Sequence, residues 1–245
     1  MSLENRVAVI TGAAGGLGRV VTKVLAERGT RLALLGTNID RLNDLVRGLQ
    51  LSDDRVLAVA ADLGDADATK AAAEAVTRKF GRAEILLHFV GGWVGGTPVT
   101  EVAASVVDDM LQQHLWTTFN VAQAFVPSLV ANGWGRILAI SSPNAANPLA
   151  RGLPYAVGKA AQETLILTLA EELKDTGVTA NVLRVRAIDV KHERDRARTA
   201  KNEGWTSQDW PRINSDRRSS KAGPVKRLTP PVASRVCSLT TYSSS

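Results

Sequence analysis

Cysteine is nearly absent from this chain. Cys237 is the only one among 245 residues, so no internal disulfide can form, and a reducing compartment is the natural setting. Aromatic residues are scarce at 4%, too few for the interleaved stacking positions of a nucleic-acid surface, and no nucleic-acid-binding motif is evident. No run of about eighteen apolar residues occurs, so no membrane span is expected. Met1-Ser2-Leu3-Glu4-Asn5-Arg6 lacks the basic-then-apolar build of a signal peptide. No metal-ligating motif stands out. These absences describe a soluble, cytoplasmic protein that binds neither nucleic acid nor membrane.

What is present is an ordinary globular composition, 44% hydrophobic, in a length that suits one large α/β domain. The net charge of +6 is unevenly placed. Residues 1–190 hold 18 basic and 19 acidic side chains, whereas residues 191–245 hold 12 and 5. The body is therefore near neutral, and the excess belongs to one terminal segment. Residues 1–190 read as the dinucleotide-binding and catalytic part, and 191–245 as a basic lid and irregular tail of the same domain.

Strand-like and helix-like segments alternate through the first 190 residues, as in a parallel sheet covered on both faces. Strands are expected at residues 6–11, 31–35, 56–60, 85–90, 136–141 and 178–185. Helices are expected at 16–28, 40–49, in an alanine-rich stretch up to Phe80, from about 101 to 130 with a bend near Pro127, and at 154–175. Beyond residue 190 the periodicity fades, and no seventh strand is legible.

Thr11-Gly12-Ala13-Ala14-Gly15-Gly16-Leu17-Gly18 lies between the first strand and its helix. A tight turn, a close backbone approach to a pyrophosphate and close helix–strand packing each require a residue without Cβ. Gly12, Gly16 and Gly18 fill those roles. The helix start at Leu17 then offers free N–H groups to phosphate. This strand–turn–helix setting marks a Rossmann-type, doubly wound sheet. Asp62-Leu63 follows the third strand at the edge where such sheets bind ligands. Asp62 either accepts a hydrogen bond from an adenine amino group or merely caps a turn.

Tyr155-Ala156-Val157-Gly158-Lys159 places a phenol and an ammonium one helical turn apart on one face. A phenol with its ordinary pKa of about 10 is a poor base at neutral pH, and a neighbouring ammonium favours the phenolate. Bringing the pKa to about 7 takes roughly 4 kcal/mol of differential stabilisation. Tyr155 would then exchange a proton with a substrate oxygen while hydride moves to or from a nicotinamide. Ser142, 13 residues upstream at the end of the fifth strand, is placed to hold the same oxygen.

The glycine motif, Asp62, the Ser141-Ser142 strand end, Tyr155/Lys159 and Asn181 after the sixth strand together resemble the short-chain dehydrogenase/reductase family, over roughly residues 4–190. The resemblance implies an NAD(P)-linked oxidoreductase of secondary alcohols and carbonyls, a sheet of order 3-2-1-4-5-6-7 and homodimers or homotetramers. It also implies a site of Ser142, Tyr155 and Lys159, with Lys159 holding the nicotinamide ribose. The sequence departs from the family at four places. After the fourth strand the usual Asn-Asn-Ala-Gly is His88-Phe89-Val90-Gly91, and only Gly91 matches. A family asparagine on the long helix falls at His114, readable as a member of a water-mediated relay or as a partly buried helix histidine. The Pro-Gly after the sixth strand is Val185-Arg186. The last strand is not recognisable, so the chain beyond about Trp210 reads as altered, for instance by truncation or a shifted frame.

Dinucleotide preference usually sits at the end of the second strand, where a carboxylate grips the ribose hydroxyls and excludes a 2′-phosphate. Gly36-Thr37-Asn38 supplies no carboxylate, which favours NADP over NAD, with Thr37 a contact. Trp93, Trp116 and Trp205 read as pocket walls or as core. Lys191, His192, Arg194, Arg196 and Arg198 read as steering groups for an anionic substrate or as a solvated helix face. Two functions remain: an active oxidoreductase, and a dinucleotide-binding protein of the same fold with little or no turnover.

Overall fold

The computed structural model describes residues 2–186, Ile188 and the backbone of Thr241–Tyr242. Six parallel strands make up the body of the sheet: β1 (Val7–Thr11), β2 (Arg31–Gly36), β3 (Val56–Ala60), β4 (Ile85–His88), β5 (Gly135–Ser141) and β6 (Val178–Arg184). They lie in the order β3-β2-β1-β4-β5-β6. The connecting helices are α1 (Gly16–Glu27), α2 (Ile39–Leu49), α3 (Ala66–Phe80), α4 (Ala104–Leu111), α5 (Thr117–Ala131) and α6 (Leu153–Glu172).

Every residue of β1 is buried, as expected of a strand with helices over both faces. The period-2 alternation of side chains divides the core in two. Val7 and Val9 enter one cluster with Val121, Phe125, Ile137 and Ile166. Ala8 and Ile10 enter the other with Leu25, Leu32, Leu34 and Leu42. Each fully buried aliphatic side chain of this size contributes about 1.5–3 kcal/mol. The register then aligns the strand ends: Thr11 lies opposite both Leu35 and His88, and His88 opposite Ala139. The loops carrying Gly12, Gly91 and Ser142 therefore leave the sheet along one edge.

Three expectations need correction. The helix expected from residue 101 starts at Ala104, and a π-helical turn at Gln112–Trp116 separates α4 from α5. Pro127 lies inside α5. A single π-turn inside a long helix is a local widening of the ladder, and the reading of one continuous helix did not anticipate it. Asn181 lies within β6, not after it. A two-residue β7 (Thr241–Tyr242) pairs antiparallel with β6 at Val182 and Leu183. Two residues of backbone pairing leave no periodic signature, and this strand falls in the segment expected to be irregular. The basic segment from Lys191, Trp205 and the rest of the tail lie outside the described residues. Among the described residues, no helix is long and apolar enough to cross a membrane.

Candidate active site

The turn after β1 shows why its glycines are there. Gly12 has φ +65°, and a Cβ on it would stand 3.0 Å from the carbonyl carbon and oxygen of Phe89. A Cβ on Gly18 would stand 2.3 Å from the Gly12 oxygen and 2.6 Å from the Ala13 oxygen. Helix α1 can thus press against its own turn only because residue 18 is glycine. Gly15 caps α1 without a side-chain hydrogen bond, and the first turn, Gly16-Leu17-Gly18, carries no acidic residue. The amino end of α1 keeps its N–H groups and partial positive charge available to an anion. A cradle that any Cβ would fill, with no carboxylate in it, fits a dinucleotide pyrophosphate.

Thr37 is exposed just beyond β2. The side-chain oxygen of Asn38 caps α2 by accepting from the Arg41 N–H at 2.9 Å. Two guanidinium groups that sequence reasoning missed reach the cradle itself. Arg19 Nε donates to the Ala14 carbonyl at 3.0 Å, and Arg41 donates to the same oxygen at 3.4 Å. After β3, Asp62 Oδ1 accepts from Gly64 N–H at 2.9 Å, so the turn-capping reading accounts for one oxygen of this exposed carboxylate. Leu63 is buried, and its carbonyl accepts from Asn120 Nδ2 at 3.0 Å, which ties this loop to α5.

His88 ends β4 fully enclosed. Thr11 Oγ1 accepts from the Phe89 N–H at 3.2 Å and lies 2.9 Å from His88 Nδ1. Thr117 Oγ1 donates to the Gln113 carbonyl at 2.6 Å and lies 3.5 Å from His88 Nε2. With the Thr117 proton committed, that oxygen can only accept. The network therefore assigns the proton of a neutral imidazole to Nε2, with Nδ1 accepting from Thr11. Burial, then the charge of Lys159, push the His88 pKa down to about 3. His88 is a neutral pin between β1, β4 and the start of α5.

Beyond it the chain passes through Gly91, and here the candidate residues meet. His114 is completely buried, with Nε2–H donating to the Gly92 carbonyl at 3.1 Å. Its ring stands edge-on to Tyr155, with centroids 5.6 Å apart. A Cβ on Gly91 would lie 2.4 Å from His114 Cε1 and 3.6 Å from Lys159 Nζ. On the opposite edge, a Cβ on Gly158 would lie 2.8 Å from His114 Cδ2 and 2.8 Å from the Met110 carbonyl. The imidazole thus occupies a slot between two glycines. We expect Gly158→Ala to push α6 away from the π-turn and cost about 1–3 kcal/mol, read as a lowered urea midpoint at unchanged m-value.

Tyr155 is half-buried, while Lys159 and Ser142 are buried. The expected depression of the phenol pKa is not what the structure holds. Burial raises it, and a hydrogen bond from Ser142 opposes that only in part. The reason is the direction Lys159 takes: its ammonium donates to the Ile140 carbonyl at 2.8 Å and to Gln162 Oε1 at 2.9 Å. Burial brings the lysine itself down to about 8, although the Glu163 carboxylate favours its charged form. His114 is brought down to about 4, by burial first and then by Lys159. At neutral pH the cluster holds a protonated phenol, an ammonium and two neutral imidazoles.

Ser142 Oγ also accepts from the Asn144 N–H at 3.2 Å, which fixes the hydroxyl at the start of a short 3₁₀ turn. Trp93 and Trp116 are both exposed, so neither is core. Sequence reasoning missed Gln162, Thr118 and Glu163. The Glu163 carboxylate takes Arg184 in a two-pronged ion pair. Gln162 and Glu163 share α6 with Lys159 while Thr118 comes from α5, and no local signal in the sequence marks any of them as buried partners.

A family model for short chain dehydrogenase matches residues 6–201. A 2,3-dihydroxy-2,3-dihydro-p-cumate dehydrogenase of Pseudomonas putida is 29% identical over 192 residues, covering 78% of this chain and 74% of that protein. A short-chain type dehydrogenase/reductase from Mycobacterium ulcerans superposes with a TM-score of 0.71 at 28% identity, over 75% of this chain and 68% of the other. L-Sorbose reductase from Gluconobacter frateurii, solved with NADPH and L-sorbose, gives 0.70 at 30% identity, over 75% and 71%. Sheet order, glycine turn and matched model agree, and the chain belongs to the short-chain dehydrogenase family of oxidoreductases.

Proposed function

We propose that this chain catalyses hydride transfer between NADP(H) and a secondary alcohol or its ketone, with Tyr155 as general acid and base. One observation carries the reading: residues 89–92 touch both halves of the site. The Phe89 backbone packs on Gly12 of the cradle, while Gly91 and Gly92 pack on His114 and Lys159. A molecule lying from the glycine turn across Gly91 ends beside Tyr155.

Bound there, the nicotinamide supplies or accepts the hydride. The N–H groups of Gly16, Leu17 and Gly18 would hold the pyrophosphate. Thr37, Asp62 and Leu63 would border the adenosine half, and Gly91, Tyr155 and Lys159 the nicotinamide half. In reduction Tyr155 hands its proton to the substrate oxygen as negative charge develops there, and Ser142 donates to the same oxygen. A phenol kept protonated by burial suits that direction. His114 closes the floor beneath Tyr155 as a neutral ring, with its buried Nδ1 lacking a hydrogen-bond partner.

The preference for NADP rests on charge at the cradle. Among the described residues neither Arg19 nor Arg41 joins an ion pair, and no carboxylate ends β2. Each guanidinium donates to the Ala14 carbonyl and keeps further N–H donors for a 2′-phosphate. A charge-assisted hydrogen bond is worth about 1.5–3 kcal/mol, so Arg41→Ala should weaken NADPH binding by about 10- to 100-fold and leave NADH nearly unchanged. Fluorescence titration of both dinucleotides checks this. Offering a panel of ketones, aldehydes and diketones then tests the activity. Binding without turnover across the panel would favour a dinucleotide-binding protein instead.

A further inference from the structure

The amide of Gln162 has a forced orientation. Thr118 Oγ1 donates its proton to the His114 carbonyl at 2.6 Å, so that oxygen can only accept from elsewhere. Gln162 Nε2 donates to it at 3.0 Å. The opposite end of the amide, Oε1, must then face Lys159, whose ammonium donates to it at 2.9 Å. Gln162 is completely buried, and so is Thr118 within a few per cent. No solvent is available to relax the arrangement. A chain of fixed polarity therefore runs from the π-turn carbonyl of His114 through Thr118 and Gln162 to Nζ.

With Ile140 as the second acceptor, this chain claims one of the three ammonium donors and leaves the third N–H for the crevice. The π-turn and the buried amide act as one device. We propose that Gln162, held by Thr118, is the positioning residue of Lys159, presenting its ammonium to the crevice beside Tyr155. The proposal rests on the dinucleotide-dependent reading above, but it concerns a hydrogen bond that can be measured without turnover.

Among the described residues, the titratable groups that act on Lys159 are His88 from β4, His114 from the π-turn and Glu163 from α6, and Tyr155 stands one helical turn before it on α6. Arg184 of β6 lies behind Glu163. The test is the titration of the Lys159 Cε resonance in the full-length protein. It compares wild type with Gln162→Glu, Gln162→Met and Thr118→Val, each first shown by thermal melting to be folded. A carboxylate at position 162 favours the ammonium, so the Gln162→Glu midpoint should move up by about one pH unit or more. Gln162→Met removes the acceptor, and its midpoint should move down. Thr118→Val frees the amide to turn its NH₂ toward the lysine, which should also move the midpoint down.

Where turnover is measured, the alkaline limb of the pH–rate profile should follow the same order. Midpoints that stay at the wild-type value in folded Gln162→Glu and Gln162→Met would overturn the positioning role. Wild-type protein that binds no dinucleotide would overturn the proposed function and leave the lysine titration standing as its own test. A variant that does not fold is replaced in the comparison by Thr118→Val, whose unchanged midpoint would count equally against the proposal.

Discussion

Tyr155→Phe should lower carbonyl reduction by about 10²- to 10⁴-fold, the range for losing a positioned general acid, and should change dinucleotide affinity little. Removing the hydroxyl keeps the ring and its edge-on contact with His114, so the slot between Gly91 and Gly158 stays filled. What disappears is the one proton donor that Ser142 helps to aim. Because burial raises the phenol pKa, the proton remains on Tyr155 throughout the neutral and mildly alkaline range. Reduction should therefore lose rate not where the tyrosine titrates but near pH 8, where Lys159 gives up its charge. The sign follows from the lysine: below its pKa the ammonium is present, and above it the charge that stabilises a developing alkoxide is gone. Steady-state rates of wild type and Tyr155→Phe, with fluorescence titration of NADPH beside them, check this. A variant retaining wild-type turnover would remove Tyr155 from the chemistry and, with it, the assignment of roles.

The sequence was most informative where a backbone requirement dictates residue type. A left-handed φ at Gly12 and a helix packed on its own turn at Gly18 can be met by glycine alone, so the cradle was legible in the letters. The i,i+4 spacing of Tyr155 and Lys159 likewise fixed their shared face. Their electrostatics were not legible, because the partners of Lys159 come from Ile140 on β5 and from Gln162, not from Tyr155. Helical periodicity assumes that the buried face is apolar. Helix α6 buries Lys159, Gln162 and Glu163 together, and that inversion carries no local signal. His88 and His114, which departed from the family pattern, are each accommodated by residues far along the chain. Thr11 and Thr117 serve the first, Gly91 and Gly158 the second. Arg19 and Arg41 meet at one carbonyl only after α2 has folded back toward the turn.

Gly18→Ala should abolish dinucleotide binding and destabilise the protein together, because one methyl group attacks both functions of the turn. The three nearest atoms to the added Cβ are all backbone: the Gly12 oxygen at 2.3 Å, the Ala13 oxygen at 2.6 Å and the Ala13 Cα at 2.7 Å. Backbone cannot rotate aside as a side chain can, so α1 must shift away from β1. Overpacking of this kind costs about 1–3 kcal/mol and occasionally more, and the absence of any flexible neighbour places this site at the upper end. The shift also moves the N–H groups of Gly16 and Leu17, and NADPH affinity should fall by about 10²-fold or more, equivalent to about 2.7 kcal/mol. Two companion variants turn this into a graded test. Gly15 has an ordinary extended backbone, φ −74°, and its added Cβ would meet only the Gly12 oxygen at 3.1 Å. Gly15→Ala should therefore be nearly neutral in stability. Gly12→Ala should fall between the two, combining a φ of +65° with contacts of 3.0 Å to Phe89. Urea midpoints and NADPH titrations should rank wild type above Gly15→Ala, Gly15→Ala above Gly12→Ala, and Gly18→Ala last. A folded Gly18→Ala protein with wild-type affinity would mean that the dinucleotide does not lie over this turn.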